Sequence, residues 1–301
     1  PFACFKAPGR WYRGNCHTHT LLSDGKASAT DTAAAYRQAG YDFLVLTDHR
    51  KTHENPESLG AKGFLVISGC ELHMPPKHPG NQHHLVAIGV KTPPDGRSLK
   101  TARAAIRWVH NHRGLCYYAH PYWTGHNMDH MGEGVDALGV EVYNSVCEGE
   151  RGLGHSNAHW DQMLSRGVRW QGLATDDTHK IDRDAFGGWI MVKARQLTQP
   201  AILAAMRAGR FYATQGPEIR SLSMTRGVAR IECSPVREIV WHARGPAGRR
   251  FAATGRQALE SSEFTPNPDG AYLRVEIIDA HGRKAWSNPI YWDKKTRRWT
   301  D

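Results

Sequence analysis

The sequence predicts an α/β fold followed by a small antiparallel β module, and three observations lead there. Hydrophobic strand-like runs alternate with helix-like segments through the first two-thirds of the 301 residues, which argues for a parallel sheet, closed or open. Polar residues recur where each hydrophobic run gives out, as the C-terminal strand ends of a βα barrel would present them. From about Glu218 the pattern changes, and Leu273, Val275 and Ile277 alternate with Arg274 and Glu276, the period of a half-buried strand. The expected division is a barrel over 1–216 and a β-sandwich-like module over 217–301, joined through Gly209 to Pro217.

Taken in order, Trp11 to Cys16 reads as a strand ending at a pair of histidines. Ser28 to Gly40 is an Ala-rich helix with Gly40 as its stop. Tyr41 to Thr47 is a buried strand that ends at Asp48-His49, and Gly63 to Cys70 is another ending at Glu71. His84 to Val90 follows. Arg97 to His112 is a helix with Ala104, Ala105, Trp108 and Val109 on its apolar side. Leu115 to Ala119 ends at His120, and Val135 to Val142 runs into Tyr143-Asn144. His155 to Arg166 is a helix stopped by Gly167. Arg169 to Thr175 ends at Asp176-Asp177. Gly188 to Ala194 and Pro200 to Ala208 complete the alternation.

Composition narrows the function classes. No apolar run approaches the roughly 20 residues of a membrane span, so no membrane partner is expected. The net charge is +10, with 17 Lys and Arg against 10 Asp and Glu from Gln196 onward and 22 against 19 before it. A solvated basic surface explains this; so does a field that draws anionic substrates. No dense basic run of the kind that grips nucleic acid is present. The six cysteines, at 4, 16, 70, 116, 147 and 233, form no Cys-x-x-Cys, which excludes a zinc ribbon. The apolar settings of Cys16, Cys70 and Cys116 favour a reducing compartment, and with no signal peptide in the sequence from Pro1 onward a cytoplasmic location is expected, a targeting segment ahead of Pro1 being left open.

The chemistry lies in the histidines. Sixteen of the 18 fall at or before His179. In His17-Thr18-His19 two imidazoles on an extended segment point the same way. His17, His19, Asp24, His49, Glu71, His84, His120, Asp177 and His179 all sit at strand ends. Each alone could be an ordinary surface or turn residue, but nine at one end of consecutive strands make a site. Six imidazoles and three carboxylates suit Zn²⁺, Mn²⁺ or Fe²⁺, and nine donors imply two or three ions, with Glu71 as the best bridging carboxylate.

The order His17-x-His19, Asp24-Gly25, Thr47-Asp48-His49, Gly69-Cys70-Glu71, His84, Ala119-His120-Pro121 and Asp177-x-His179 resembles the PHP (polymerase and histidinol phosphatase) superfamily over residues 11–195. The resemblance implies a distorted seven-stranded β/α barrel, a two- or three-metal site at the strand C-termini and phosphoesterase activity. Where some members carry His, this chain has Asp24. Glu141-Val-Tyr-Asn144, Ala174 to His179, Gly188-Trp189, Phe211 to Pro217 and Trp286 to Tyr291 are similar to the stand-alone branch with a C-terminal β module.

The expected function is therefore hydrolysis of a phosphate mono- or diester, a small anionic ester, by a metal-bridging hydroxide. His17, His19, Glu71 and Asp177 would hold one ion; Asp24, His49, His120 and His84 the others; His179 completes the set. Asp177, His179 and Glu71 are the expected catalytic residues, acting with a metal-bound hydroxide, and either Asp177 or a metal-bound water protonates the leaving oxygen. Asp48 is expected to orient an imidazole from behind the ligands. Arg50 and Lys180 either grip an anionic substrate or are loop surface charges. Tyr143 and Trp123 are candidates for substrate contact, Trp123 equally for plain packing, and the polar stretches 125–133 and 148–155 would shape the pocket. Two other readings remain: hydrolysis of a carbamate, carboxyl ester or amide by the same centre, and a non-catalytic or nucleic-acid-processing PHP module, against which the full ligand set weighs. Nothing in the sequence indicates an oligomeric state.

Overall fold

The computed structural model describes residues 2–74, 82–95 and 99–301. The first part runs α1 (Ala3–Lys6), β1 (Arg10–Asn15), α2 (Ala29–Gln38), β2 (Phe43–Leu46), β3 (Leu65–Met74), β4 (His83–Ile88), α3 (Ala102–Asn111), β5 (Leu115–Tyr118), α4 (Met128–Met131), β6 (Gly139–Asn144), α5 (Ser145–Arg151), α6 (Asn157–Ser165), β7 (Gln171–Thr175), α7 (Ile181–Asp184), β8 (Trp189–Ala194), α8 (Gln199–Arg207) and β9 (Phe211–Thr214). The rest is strand: β10 (Ile219–Thr225), β11 (Val228–Val236), β12 (Glu238–His242), β13 (Arg249–Ala252), β14 (Leu259–Phe264), β15 (Tyr272–Ile278), β16 (Lys284–Ser287), β17 (Ile290–Asp293) and β18 (Arg298–Thr300). The expected helix start at Arg97 lies outside the described residues. The stretches read as loops over 125–133 and 148–155 contain α4 and most of α5. Asn127 and Asn144 supply their N-caps, accepting from backbone N–H groups of the first turn.

The fold is mixed α/β, and the run β1–β7 is mostly parallel as expected, with one exception at β4. β1–β2, β2–β3, β5–β6 and β6–β7 are parallel. β4 is antiparallel to both β3 and β5. Only eight residues separate Met74 from His83, fewer than the dozen or more that a parallel crossover requires. The seven-stranded closure also differs from expectation. β8 takes the outer edge of β1 over five register pairs, so β7 does not ladder along β1. The two ends of the run meet beyond the strands, through a parallel bridge between Thr18 and Thr178. There the His19 N–H donates to the Thr178 carbonyl at 2.9 Å and the Asp177 N–H to that of His17 at 3.0 Å.

The sheet continues past residue 216. β9 pairs with β16, which leads through β15 and β12 to β13, while β10, β11 and β14 form a separate antiparallel sheet. One apolar core lies under β1–β7 and their helices, including Phe43, Ile67, Tyr117 and Trp160; a second, with Leu222, Ile231, Trp241 and Ile277, fills the C-terminal region. No helix among the described residues is long and apolar enough to cross a membrane. All six cysteines are free and buried.

Candidate metal centre

The parallel strands deliver their following residues to one mouth. β1 leads to His17 and His19, whose segment is tied on one side to Asp177 and Thr178 and on the other by the Thr47 N–H to the Thr18 carbonyl at 2.8 Å. β2 leads to His49, which bridges to Glu71 within β3. β5 leads to His120 and β7 to Asp177 and His179. His84 arrives differently. It sits near the start of the antiparallel β4, which places it at the same mouth as its neighbours' C-terminal ends. Asp24 comes on the loop after Thr20. Gly25 lets that loop lie against His19, since a Cβ there would stand 2.6 Å from the His19 carbonyl carbon. Asp177 adopts φ 59° and His120 φ 26°, strained backbone that clusters at functional sites.

All nine expected ligands converge, and their grouping is more specific than the sequence allowed. His17, His19, Glu71 and Asp177 form one buried group; Glu71, His84 and His120 a second; Asp24, His49 and His179 a third, with His19 beside it. The Asp177 Oδ1 lies 3.3 Å from His17 Nε2 and 3.0 Å from His19 Nε2. Glu71 turns its two oxygens apart. Oε2 is 3.4 Å from both His17 and His19 Nε2, whereas Oε1 is 2.8 Å from His84 Nδ1 and 3.3 Å from His120 Nε2. Asp24 Oδ2 is 3.3 Å from Nε2 of both His49 and His179. A neutral imidazole has one lone pair to give, so His19, aimed by Nε2 into the first group, belongs there. The expected pooling of Asp24, His49, His84 and His120 thus splits in two, because β4 and β5 bring His84 and His120 to Glu71 and not to Asp24.

The donor set fits divalent cations on an observation of its own. His17 Nε2, His19 Nε2, Glu71 Oε1 and Asp177 Oδ1 are buried without a hydrogen-bond partner. Buried polar atoms are rarely left so, and these point at common centres. Electrostatics agrees. Burial disfavours charge on His49 and His179, yet Asp24, Glu71 and Asp177 raise them to about 10 and about 9. Asp24 is held well below the carboxylate range by the same two imidazoles, against its burial. A field that holds protons this firmly would hold cations in their place.

Behind the donors stands Glu141, which the sequence reading assigned no role. Its Oε1 meets His17 Nδ1 at 2.7 Å and accepts from Thr175 Oγ1 at 2.8 Å; its Oε2 accepts from the His120 N–H at 2.8 Å and Asn144 Nδ2 at 2.9 Å. Asn144 also donates to Asp177 Oδ2 at 3.1 Å. A carboxylate on the imidazole's far nitrogen sets tautomer and aim. The available signal was a charged residue inside the fully buried β6, which must be partnered. Asp48 does meet an imidazole, that of His53 at 2.9 Å, which is none of the nine; it also accepts from the Thr20 and Ser23 N–H groups, fixing the loop that carries Asp24.

The mouth is a cleft of about 390 Å³, whose lining includes Trp123, Val146 and Cys147 as well as Lys26, Lys180 and Arg183. Trp123 and Lys180 thus line the cleft. Arg50 instead lines a neighbouring cleft with Leu72 and His73, because its φ of 55° turns the chain after His49. Tyr143 is 6 % exposed, packed against His155 and Trp286, and does not line the mouth: on β6, Glu141 faces the ligands and Tyr143 falls at a register shift against β7.

Fold and donors together define an α/β protein with a metal-ligand mouth and an antiparallel C-terminal region. Among solved structures, that of a two-domain protein containing a predicted PHP-like metal-dependent phosphoesterase from Bacteroides vulgatus matches 91 % of this chain and 93 % of its own, with TM-score 0.53 and 16 % identity. The chain therefore shares the overall fold of that protein. Weaker matches are a provisionally assigned metal-dependent phosphoesterase from Bifidobacterium adolescentis (55 % and 87 % covered, TM-score 0.41, 13 % identity) and an amidohydrolase from Chromobacterium violaceum with bound sulfate and no metal (66 % and 96 %, 0.44, 15 %). No family model and no curated protein matches the chain.

Proposed function

We propose that this chain is a metal-dependent hydrolase of a small anionic ester, a phosphate mono- or diester before a carbamate, carboxyl ester or amide. The observation that carries the reading is the convergence of buried, unpartnered donor atoms on shared centres within one open cleft. Divalent ions there would polarise a phosphoryl oxygen and lower the pKa of water. His17, His19, Glu71 and Asp177 would hold one ion, His84 and His120 with Glu71 a second, and Asp24, His49 and His179 a third, with Glu71 bridging the first two. Lys26, Lys180 and Arg183 line the same cleft and favour an anionic substrate over a neutral carbonyl compound. Asp177 makes a poor proton donor to the leaving oxygen. Despite burial, His17 and His19 hold its carboxyl well below the usual range, and its Oδ2 is taken by Asn144. Water held at the mouth would then have to deliver that proton.

The test is metal content of the purified chain together with turnover of aryl phosphate mono- and diesters and aryl carbamates, after chelation and metal add-back. Phosphate turnover that vanishes with chelation and returns with metal is the expected result. Turnover of carbamates alone would refute the phosphoesterase reading, and no turnover by the metal-loaded chain would refute the hydrolase reading.

A further inference from the structure

β3 does not end at Glu71, where the sequence placed its end; it runs on to Met74. Side chains two apart on a strand share a face, so His73 follows Glu71 to the metal side. Its Nε2 lies 2.7 Å from His49 Nδ1. Its ring is stacked on His84 at 4.1 Å with an interplanar angle of 8°. The antiparallel register makes this contact, since His73 and His84 are direct cross-strand partners of β3 and β4. His73 thus touches one ligand of the Asp24 group and one of the Glu71–His84–His120 group. His49, Glu71 and His73 also form a donor group in their own right.

His49 has two nitrogens with different duties. Nε2 faces Asp24 Oδ2, where the third group converges. A neutral imidazole that offers Nε2 to a cation carries its proton on Nδ1, and that proton needs an acceptor. Two atoms lie close enough: Glu71 Oε2 at 2.8 Å and His73 Nε2 at 2.7 Å. Glu71 Oε2 also faces His17 and His19. If it took the proton of His49, it would be a weaker donor to the first group.

We propose that His73 is a positioning residue of the metal centre: its Nε2 accepts the Nδ1–H of His49, fixing the His49 tautomer for the Asp24–His49–His179 group and leaving both Glu71 oxygens to the other two. The face of His73 stacked on His84 holds its ring edge toward His49. This rests on the metal-centre reading and not on any substrate.

The experiment is equilibrium metal binding, with zinc or manganese alone as the probe, to metal-stripped wild type, His73→Leu and His73→Gln, read in chelator buffers with the bound ions counted by native mass spectrometry. Near-ultraviolet circular dichroism of the metal-free chains checks that each is folded. Leu cannot accept a hydrogen bond; the Gln side-chain oxygen can. His73→Leu should lose about 10- to 100-fold in affinity for one ion, the range seen when such partners are removed, and leave the others unchanged. His73→Gln should recover most of that loss. Wild-type affinities in His73→Leu would overturn the proposal and leave the metal centre standing. Loss that His73→Gln does not recover would make His73 a ligand and overturn the positioning role. Loss spread equally over all ions would overturn it too. A wild-type chain that binds no ion would remove the centre and this proposal together.

Discussion

Two sets of buried charges, one at the strand-end mouth and one in the C-terminal region, are satisfied in opposite ways. In the C-terminal set, Arg274 is fully buried and donates through Nε and Nη2 to both oxygens of Asp161 on α6, at 2.8 and 2.5 Å. Tyr272 donates to the same carboxylate at 2.9 Å, and the guanidinium lies 4.7 Å from the Trp160 ring centroid. Glu276 accepts from Trp286 Nε1 at 2.9 Å and lies 3.3 Å from Lys284 Nζ. Two cations and two anions balance the set; Arg274 Nη1 has no hydrogen bond and lies 3.8 Å from Glu276 Oε2, and His242 stands between the two carboxylates. At the mouth, the ion pairs recorded for Asp24, Glu71, Asp177 and Glu141 are with histidines, and several donor atoms have no hydrogen-bond partner. The first arrangement is a structural joint between β15 and α6. The second fits divalent cations from outside. The difference separates buried charge that holds the fold from buried charge that waits for a ligand.

The largest effect should come from breaking the open set. Asp177→Asn keeps the shape and tolerates φ 59°, since Asn adopts the left-handed region readily. It removes one charge from the His17–His19–Glu71 group. Turnover of whichever ester the chain hydrolyses should fall by at least ~10³-fold, about 4 kcal/mol of barrier, with a lost ion and a thermal midpoint that moves little. Full activity would exclude this group as the catalyst.

The closed set should behave in the reverse sense. Asp161→Asn leaves Arg274 buried without its carboxylate, and breaking a buried pair costs about 3–5 kcal/mol. Because Asp161 keeps a quarter of its side-chain surface in water, the lower end of that range is expected. Denaturant unfolding should register the loss, and metal affinity should stay at the wild-type value. A stability change below ~1 kcal/mol would show that the joint carries little load.

How much of this was legible in the sequence follows the same division. His17-x-His19 and Asp177-x-His179 could be read because period two is a local property of extended chain. The positions of α2, α3, α6, α8 and most strands could be read for the same reason. Partnering across elements could not. The antiparallel turn of β4, the joining of His84 to Glu71 and the stacking of His73 all depend on register. The Arg274–Asp161 pair spans residues far apart in the chain. Arg50 and Lys180 each lie one residue past a candidate ligand, yet only Lys180 lines the cleft; adjacency in sequence does not fix direction when φ changes sign. Glu141 and Tyr143 lie two apart on β6 and would share a face on a regular strand; the register shift between them separates their roles.

The smallest effect, and the one that sharpens the contrast most, is the pH dependence of the two forms of the chain. In the metal-free form His49 and His179 are raised to about 10 and about 9, against about 6.5 unfolded. A group raised in the folded state contributes stability that is fully present below its unfolded value and is lost as pH climbs through the folded one. The thermal midpoint of the metal-free chain should therefore decline between pH 6.5 and about 10. Asp24 works at the other end of the scale, and its stabilisation is lost as pH falls below the ordinary carboxylate value. Cations reverse the upper limb. They need the imidazoles neutral, so they bind more firmly as protons leave, and the midpoint with zinc or manganese present should hold or rise over the same interval. The Arg274 joint has no such dependence between pH 6.5 and 9, because against their burial Arg274 holds the Asp161 and Glu276 carboxyls below their ordinary range and they in turn hold its guanidinium above its own. If the two forms decline in parallel above pH 6.5, the charges at the mouth are not waiting for cations, and the distinction between the two regions fails.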